Sequence, residues 1–274
     1  MLKQRVITAL VLLPIVLGAV FGLDRLPFAI VAGLFFAVAG WEWSALMGKV
    51  GLVFRLLWTA VLVLAMAAAE FWQPAWLLNA MPVWWVLALV LVVGYPGNAG
   101  FWYRPWLMAP VGLLLLVPSW GAVVQLQAAG ALGLAGPYAL LFILLWVWAA
   151  DTGAYFAGRA MGKHKLAPLV SPGKTIEGLI GGVALALLVV AGVFATGLLE
   201  ANLVPLMAVA LMTVLASALG DLFESMVKRQ RGFKDSGTIL PGHGGMLDRI
   251  DSVTAAMPIA LAGFNWFGLP GGSL

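Results

Sequence analysis

The sequence predicts an all-α polytopic membrane protein, a bundle of about nine transmembrane helices with a cytoplasmic N-terminus. Three observations carry that expectation. Hydrophobic residues make up 63% of the 274 positions and charged residues 9%, with a mean hydropathy of +1.05, far from a soluble domain. Pro, Gly and charge clusters cut the chain into apolar runs close to the roughly 20 residues that cross a bilayer core. With nine crossings drawn, fourteen of the fifteen Lys and Arg residues fall on one face and only Arg25 on the other, the asymmetry expected of cytoplasmic loops.

The expected spans are Val6 to Gly22, Leu26 to Met47, Leu52 to Trp72, Trp76 to Gly94, Pro105 to Gln127, Pro137 to Arg159, Ile176 to Leu198, Leu203 to Lys228 and Asp251 to Leu269. Lipid offers no partner to a bare backbone and the runs do not alternate, so helices rather than barrel strands are expected. The first run follows Lys3 and Arg5 like a secretory signal, but it lacks a small-x-small cleavage pattern and reads as a retained helix. The third carries Arg55 and is the weakest of the nine. The chain has no cysteine and two histidines, His164 and His243, which excludes disulfides and argues against zinc.

Residues 1–135 read as membrane-embedded scaffold. Their tryptophans (Trp41, Trp43, Trp72, Trp76, Trp84, Trp85, Trp102, Trp106) cluster at span ends, where an amphipathic ring suits the headgroup region. Glu42 lies inside a span and is expected to pair locally. Residues 136–274 read as the catalytic region, with cytoplasmic polar loops at 159–175 and 228–250. Eight of the eleven acidic residues lie beyond Trp146. Charge within a span is costly and usually faces a cavity or a partner. Asp151, Tyr155 and Arg159 are spaced by four and share one helical stripe, as do Asp221, Ser225 and Lys228, with Ser217 and Glu224 beside them. These helices are expected to line a shared polar pocket, although a structural ion-pair network explains Asp151 equally well.

The loop from Gly158 to Glu177 contains SPGKT, yet Pro168 stands where a P-loop needs its first glycine, so that assignment fails. What remains is an anion cradle of Gly173, Lys174, Ser171 and Thr175 near a helix N-terminus, or a linker whose Lys163 and Lys165 touch anionic lipid. The largest polar island runs from Ser225 to Asp251. Its GHGGMLDRID segment sets glycines beside His243 and carboxylates at Asp248 and Asp251, one turn apart if a helix begins there. That arrangement suits oxygen coordination of magnesium with substrate phosphates, and Arg249 suits phosphate.

Ser225, Lys228, Arg229, Lys234, Asp235, Gly237, Leu240, Pro241, His243, Gly244, Gly245, Asp248, Arg249 and Asp251 together resemble the signature of the phosphatidate cytidylyltransferases, or CDP-diacylglycerol synthases. The stretch ADTGAYFAGRAMGKHKLAPLVSPGKTIEGLIGG is similar to that family's other polar block, while the N-terminal half matches only in character. The resemblance implies transfer of CMP from CTP to phosphatidic acid, giving CDP-diacylglycerol and pyrophosphate. It also implies Mg2+, alone or with a second metal ion, a bacterial inner-membrane location with the site facing the cytoplasm, and a homodimer. Residue by residue, it implies metal ligands at Asp221, Asp248 and Asp251, with Ser217 as a further contributor. It implies phosphate handling by Lys228, Arg229, Lys234, Arg249 and His243, and nucleotide binding by Asp151, Tyr155, Lys165, Ser171, Lys174 and Glu177.

Two rival functions stay open at the level of sequence. A CTP-dependent lipid kinase would share the donor, and an ion-coupled transporter would use intramembrane Asp151 and Asp221, although no internal repeat supports it. The net charge of +4 gives no nucleic-acid role, because positive-inside topology accounts for the basic residues.

Overall fold

A computed structural model describes residues 2–48, 50–72, 75–242 and 244–271. Each of the nine expected stretches is a helix: α1 (Leu2–Gly22), α2 (Arg25–Leu46), α3 (Leu52–Trp72), α4 (Ala75–Val93), α6 (Pro105–Ala129), α7 (Gly136–Met161), α8 (Ile176–Ala195), α9 (Leu203–Arg231) and α10 (Leu247–Trp266). A one-turn helix, α5 (Ala99–Trp102), joins α4 to α6 and was not foreseen. Among the described residues, seven helices, α2 to α4 and α6 to α9, are long and apolar enough to cross a membrane. The remaining two differ in kind. In α1 the described apolar stretch is Leu10–Gly22, whereas α10 carries charge in its first turn and is buried at every position from Thr254 to Phe264.

An element buried all round is the axis of a bundle, and α10 packs against α2, α4, α6, α7 and α9. Pro258 removes one backbone donor from α10 and leaves the carbonyl four residues earlier, that of Thr254, without its helical partner. Ser119 Oγ on α6 donates to that carbonyl at 2.6 Å, so a polar tether fixes the axial helix where its own ladder is broken. Gln127 Nε2 donates to the carbonyls of Val20 (3.2 Å) and Leu23 (2.9 Å), tying α6 to the end of α1.

The tryptophans divide. Trp72, Trp76 and Trp106 are exposed near helix ends, as an interfacial anchor should be. Trp43, Trp85 and Trp102 are instead buried in helix joints, which corrects the expectation that they anchor at the membrane surface. Trp43 Nε1 donates to the carbonyl of Met108 (2.9 Å) and Trp102 Nε1 to Asn98 Oδ1 (3.1 Å); bundle packing covers the rings and a protein acceptor replaces water. Arg55 lies in the first turn of α3 and turns back on α2, stacking 3.9 Å from the Trp41 ring centroid and donating to Ser44 Oγ at 2.9 Å.

The polar stretch between α7 and α8 is partly ordered as a hairpin, β1 (Lys165–Ala167) antiparallel to β2 (Ser171–Thr175), with Lys165 opposite Thr175. An all-α expectation therefore misses one small sheet. Its feet stay close because α7 and α8 approach through glycines. A Cβ at Gly153 would come within 2.6 Å of the Gly181 carbonyl, and one at Gly182 within 2.5 Å of the Ala150 carbonyl. Small residues give membrane helices this backbone contact. Gly182→Leu is expected to lower stability by about 1–3 kcal/mol through overpacking, read as a fall in the detergent-solubilised melting temperature. Gly192→Leu, with nothing within 4 Å of its Cβ, serves as the control that stays near wild type.

Candidate active site

A cavity of about 520 Å³ opens between α7, the hairpin, α8 and α9. Asp151, Tyr155 and Arg159 reach it from one stripe of α7, Lys174 from β2 and Ser217 from α9. Arg159 Nη1 donates to Tyr155 Oη at 2.9 Å, along that stripe. Lys174 Nζ sits 2.6 Å from Asp221 Oδ2, and Ser225 Oγ donates to Asp221 Oδ1 at 3.2 Å. The charge on Asp221 reaches both Asp151 and Asp251, so three carboxylates share one neighbourhood with Lys174. Helix packing enforces this: a Cβ at Gly220 would lie 2.6 Å from the Asp251 carbonyl, so α9 and α10 touch backbone to backbone beside Asp221.

Deeper in the bundle a second ion cluster is closed to solvent. Lys228 Nζ lies 2.5 Å from Asp248 Oδ1 and 3.1 Å from Glu224 Oε1, and the Lys228 and Asp248 side chains are 9% and 6% exposed. The Lys174 and Asp221 side chains, by contrast, are 29% and 30% exposed. Asp248 Oδ2 accepts from the backbone N–H groups of Ser236 (2.9 Å) and Gly245 (2.8 Å), and Ser236 Oγ lies 3.0 Å from it. Both oxygens of Asp248 are thus occupied by protein donors. The start of α10 at Leu247 puts Asp248 and Asp251 one turn apart, as the sequence spacing suggests. The end of α9 is set by Gly232 at φ +77, which lets Phe233 N–H reach back to the Lys228 carbonyl at 2.8 Å.

Not every expected residue offers its polar group to the cavity. Thr175 Oγ1 accepts from Gly178 N–H at 3.1 Å and caps α8, so its hydroxyl is committed to the helix rather than to an anion. Glu177 accepts from the backbone N–H groups of Lys163 (3.1 Å) and His164 (3.2 Å) and pairs with His164 Nδ1 at 2.6 Å, clamping the hairpin to α8. Lys165 Nζ donates to the Pro172 carbonyl across the hairpin (2.8 Å). Ser171 is half-buried in β2, outside the cavity lining. Arg229 donates to the carbonyls of Val170 and Phe233, each at 3.3 Å, and joins the hairpin to α9. Lys234 and Arg249 are exposed. His243 and Lys49 lie outside the described residues. Sequence reasoning passed over Ser236, which carries no motif signal, and expected only local pairing of Glu42, whose place inside an apolar span was the available clue.

A second cavity of about 420 Å³ abuts the first and carries no charged residue. It runs between α4, α8, α9 and α10 past Trp85, Leu219 and Trp266, and Leu166, Leu179 and Ala218 line both cavities. A polar chamber and an apolar groove therefore share one wall.

The profile of the Cytidylyltransferase family matches residues 3–267. The chain is 48% identical to a Pseudomonas aeruginosa protein named phosphatidate cytidylyltransferase, over 96% of each chain. It is 42% identical to one of the same name from Haemophilus influenzae, over 97% of this chain and 98% of that one. A Staphylococcus aureus protein of that name matches over 45% of this chain and 48% of its own length, at 49% identity. A match of this extent, falling on the residues that build the chamber and the buried ion cluster, makes the chain a member of the cytidylyltransferase family.

Proposed function

We propose that this protein is a phosphatidate cytidylyltransferase, forming CDP-diacylglycerol and pyrophosphate from CTP and phosphatidic acid for phospholipid biosynthesis. The observation that carries the reading is the shared wall between a charged chamber and an uncharged groove. An anionic nucleotide and the headgroup of a lipid meet in the chamber, while an acyl chain lies in the groove. The names of the extensive relatives support the same reaction.

In the reaction a phosphate oxygen of phosphatidic acid attacks the α-phosphorus of CTP, the bond from that phosphorus to the β-phosphate's bridging oxygen breaks, and pyrophosphate leaves. The attacking phosphomonoester, with a second pKa near 6, is already largely ionised at neutral pH, so no strong base is required. The barrier is anion meeting anion. Arg159, Lys174, Lys234 and Arg249 lower it by holding phosphates, and Tyr155 holds the Arg159 side chain at the chamber.

Asp221 and Asp251 fit a divalent ion. Among the described residues no three His, Cys, Asp or Glu side chains are grouped to hold a metal, so water and substrate phosphates would have to complete the shell, as magnesium bound by one or two carboxylates allows. The two carboxylates come from helices that touch backbone to backbone at Gly220. When bound there, the metal would neutralise phosphate and leaving-group charge. Lys174 pairs with Asp221, and with a divalent ion held by that carboxylate it would be available to the triphosphate. Asp248, engaged by protein donors, serves by fixing Lys228. Support for nine crossings, a cytoplasmic N-terminus and an inner-membrane site open to cytoplasmic CTP comes from the distribution of Lys and Arg. The division at residue 135 and a homodimer belong to the same reading, the latter from the family resemblance.

Purified protein in mixed micelles is expected to release pyrophosphate only with CTP, phosphatidic acid and magnesium together, with an equal amount of CDP-diacylglycerol. Release of CDP instead would establish the kinase. Asp221→Asn should remain folded, need more magnesium and lose at least about a hundredfold in turnover, the scale of a key charge-stabilising group; a magnesium titration matching wild type would remove Asp221 from the metal role. Lys174→Ala should raise the KM for CTP roughly tenfold or more, as loss of one charge-assisted hydrogen bond implies. An unchanged CTP dependence would leave Lys174 as a lipid contact.

A further inference from the structure

Glu42 belongs to α2, in the half of the chain that reads as scaffold, yet it is buried to 2% exposure against the polar loop 194 residues away. Its Oε2 accepts from Ser236 Oγ at 3.0 Å and from the backbone N–H of Leu247 at 2.8 Å. With the hydroxyl proton of Ser236 on Glu42, the backbone N–H of the same residue donates to Asp248 Oδ2 at 2.9 Å, and Asp248 Oδ1 holds Lys228 at 2.5 Å. A single chain of contacts thus runs from α2 through Ser236 and Asp248 to the ammonium at the end of α9.

Two features mark this as a built contact. The backbone closes on the carboxylate from both sides: a Cβ at Gly237 would overlap Glu42 Oε1, and one at Gly245 would overlap Oε2. The other oxygen, Oε1, is buried without a hydrogen-bond partner among the described residues, a cost an apolar side chain would avoid. What an apolar side chain could not do is accept from Leu247 N–H, one of the backbone donors left open at the start of α10, and from Ser236 together. One carboxylate oxygen therefore fixes both the loop and the first turn of the helix that presents Asp248, Arg249 and Asp251.

We propose that Glu42 is a positioning residue for the transfer reaction, acting through Ser236 to hold Asp248 and, through it, Lys228. The inference rests on the cytidylyltransferase reading for its effect on turnover, but its structural content is testable without it. Glu42→Ala should lower kcat per folded molecule about tenfold to hundredfold, the usual effect of removing a group that orients another, with a smaller change in the KM for CTP. Glu42→Gln, whose amide oxygen can take the place of Oε2 and accept from both Leu247 and Ser236, should recover most of that loss; equal loss in Gln and Ala would show that charge rather than positioning matters, overturning the proposal. Ser236→Ala leaves Glu42 on Leu247 and should fall in kcat as Glu42→Ala does. The double variant should lose no more than either single one, because the two act in series. Losses that multiply, or a Ser236→Ala enzyme with wild-type kcat, would also overturn it. Wild-type turnover reports on the transfer reading alone. Backbone amide exchange reports on positioning alone: Glu42→Ala should speed exchange at both Leu247 and Gly245, whereas faster exchange at Leu247 only would reduce Glu42 to a helix cap. Should Glu42→Ala fail to fold, Ser236→Ala carries the test, with Gly245 exchange faster and Leu247 exchange held at the wild-type rate.

Discussion

The Lys228 ammonium, shared by Glu224 and Asp248 inside an apolar bundle, is the interaction on which the rest of the site depends. A buried charge without a partner costs several kcal/mol, and removing one member of a buried pair costs about 3–5 kcal/mol. Three elements must therefore arrive together: the last turns of α9, the first turn of α10 and the loop between them. Asp248 completes the arrangement because it accepts from Ser236 and Gly245 as well as from Lys228. The pair does more than neutralise itself. It sets where α10 begins, and with it the position of Asp251 beside Asp221.

Close backbone packing brings the carboxylates near enough to matter. At Gly220 on α9 and at Gly153 and Gly182 between α7 and α8, a methyl group would collide with a carbonyl of the neighbouring helix. The Gly220 contact sets Asp221 against the helix that carries Asp251, while the contacts between α7 and α8 hold Asp151 and Lys174 around one cavity. Carboxylates so arranged repel, and Lys174 from the hairpin is the cation that answers them. The hairpin is held in turn by Glu177 on His164 and by Arg229 on the Val170 carbonyl. Residues that the sequence suggested as ligand contacts thus include some whose work is to hold the contacts in place.

Helices were legible because lipid leaves the backbone few alternatives, and each expected apolar stretch is helical. The stripes Asp151–Tyr155–Arg159 and Asp221–Ser225 were legible for the same reason, since helical spacing alone fixes a face. Contacts made across long sequence separations were not. Nothing local distinguishes Trp43, sealed against Met108, from Trp72 at the surface. Nothing near Ser236 announces a partner in α2, and a three-residue strand such as β1 is too short for periodicity to reveal. The end of α9 was placed three residues early, at Lys228, because charge was taken as the boundary; the helix runs on to Arg231 and stops at Gly232, where a left-handed residue is available.

The two lysine–carboxylate pairs differ in a way that bears on how a chemical step is shared out. Lys228 and Asp248 are closed to solvent and hydrogen-bonded on several sides, so exchanging either partner would strand a charge. Lys174, on the chamber wall, and its partner Asp221 are each about 30% exposed, and their attraction is weakened by solvent. Under the proposed reading a triphosphate would compete for Lys174 and a divalent ion for Asp221, each bringing a counter-charge to the group it takes. The inner pair supplies a fixed frame and the outer pair an exchangeable one. A site that must bring two anions together needs both: charge that yields to the substrate, and a scaffold of charge that keeps its geometry when it does.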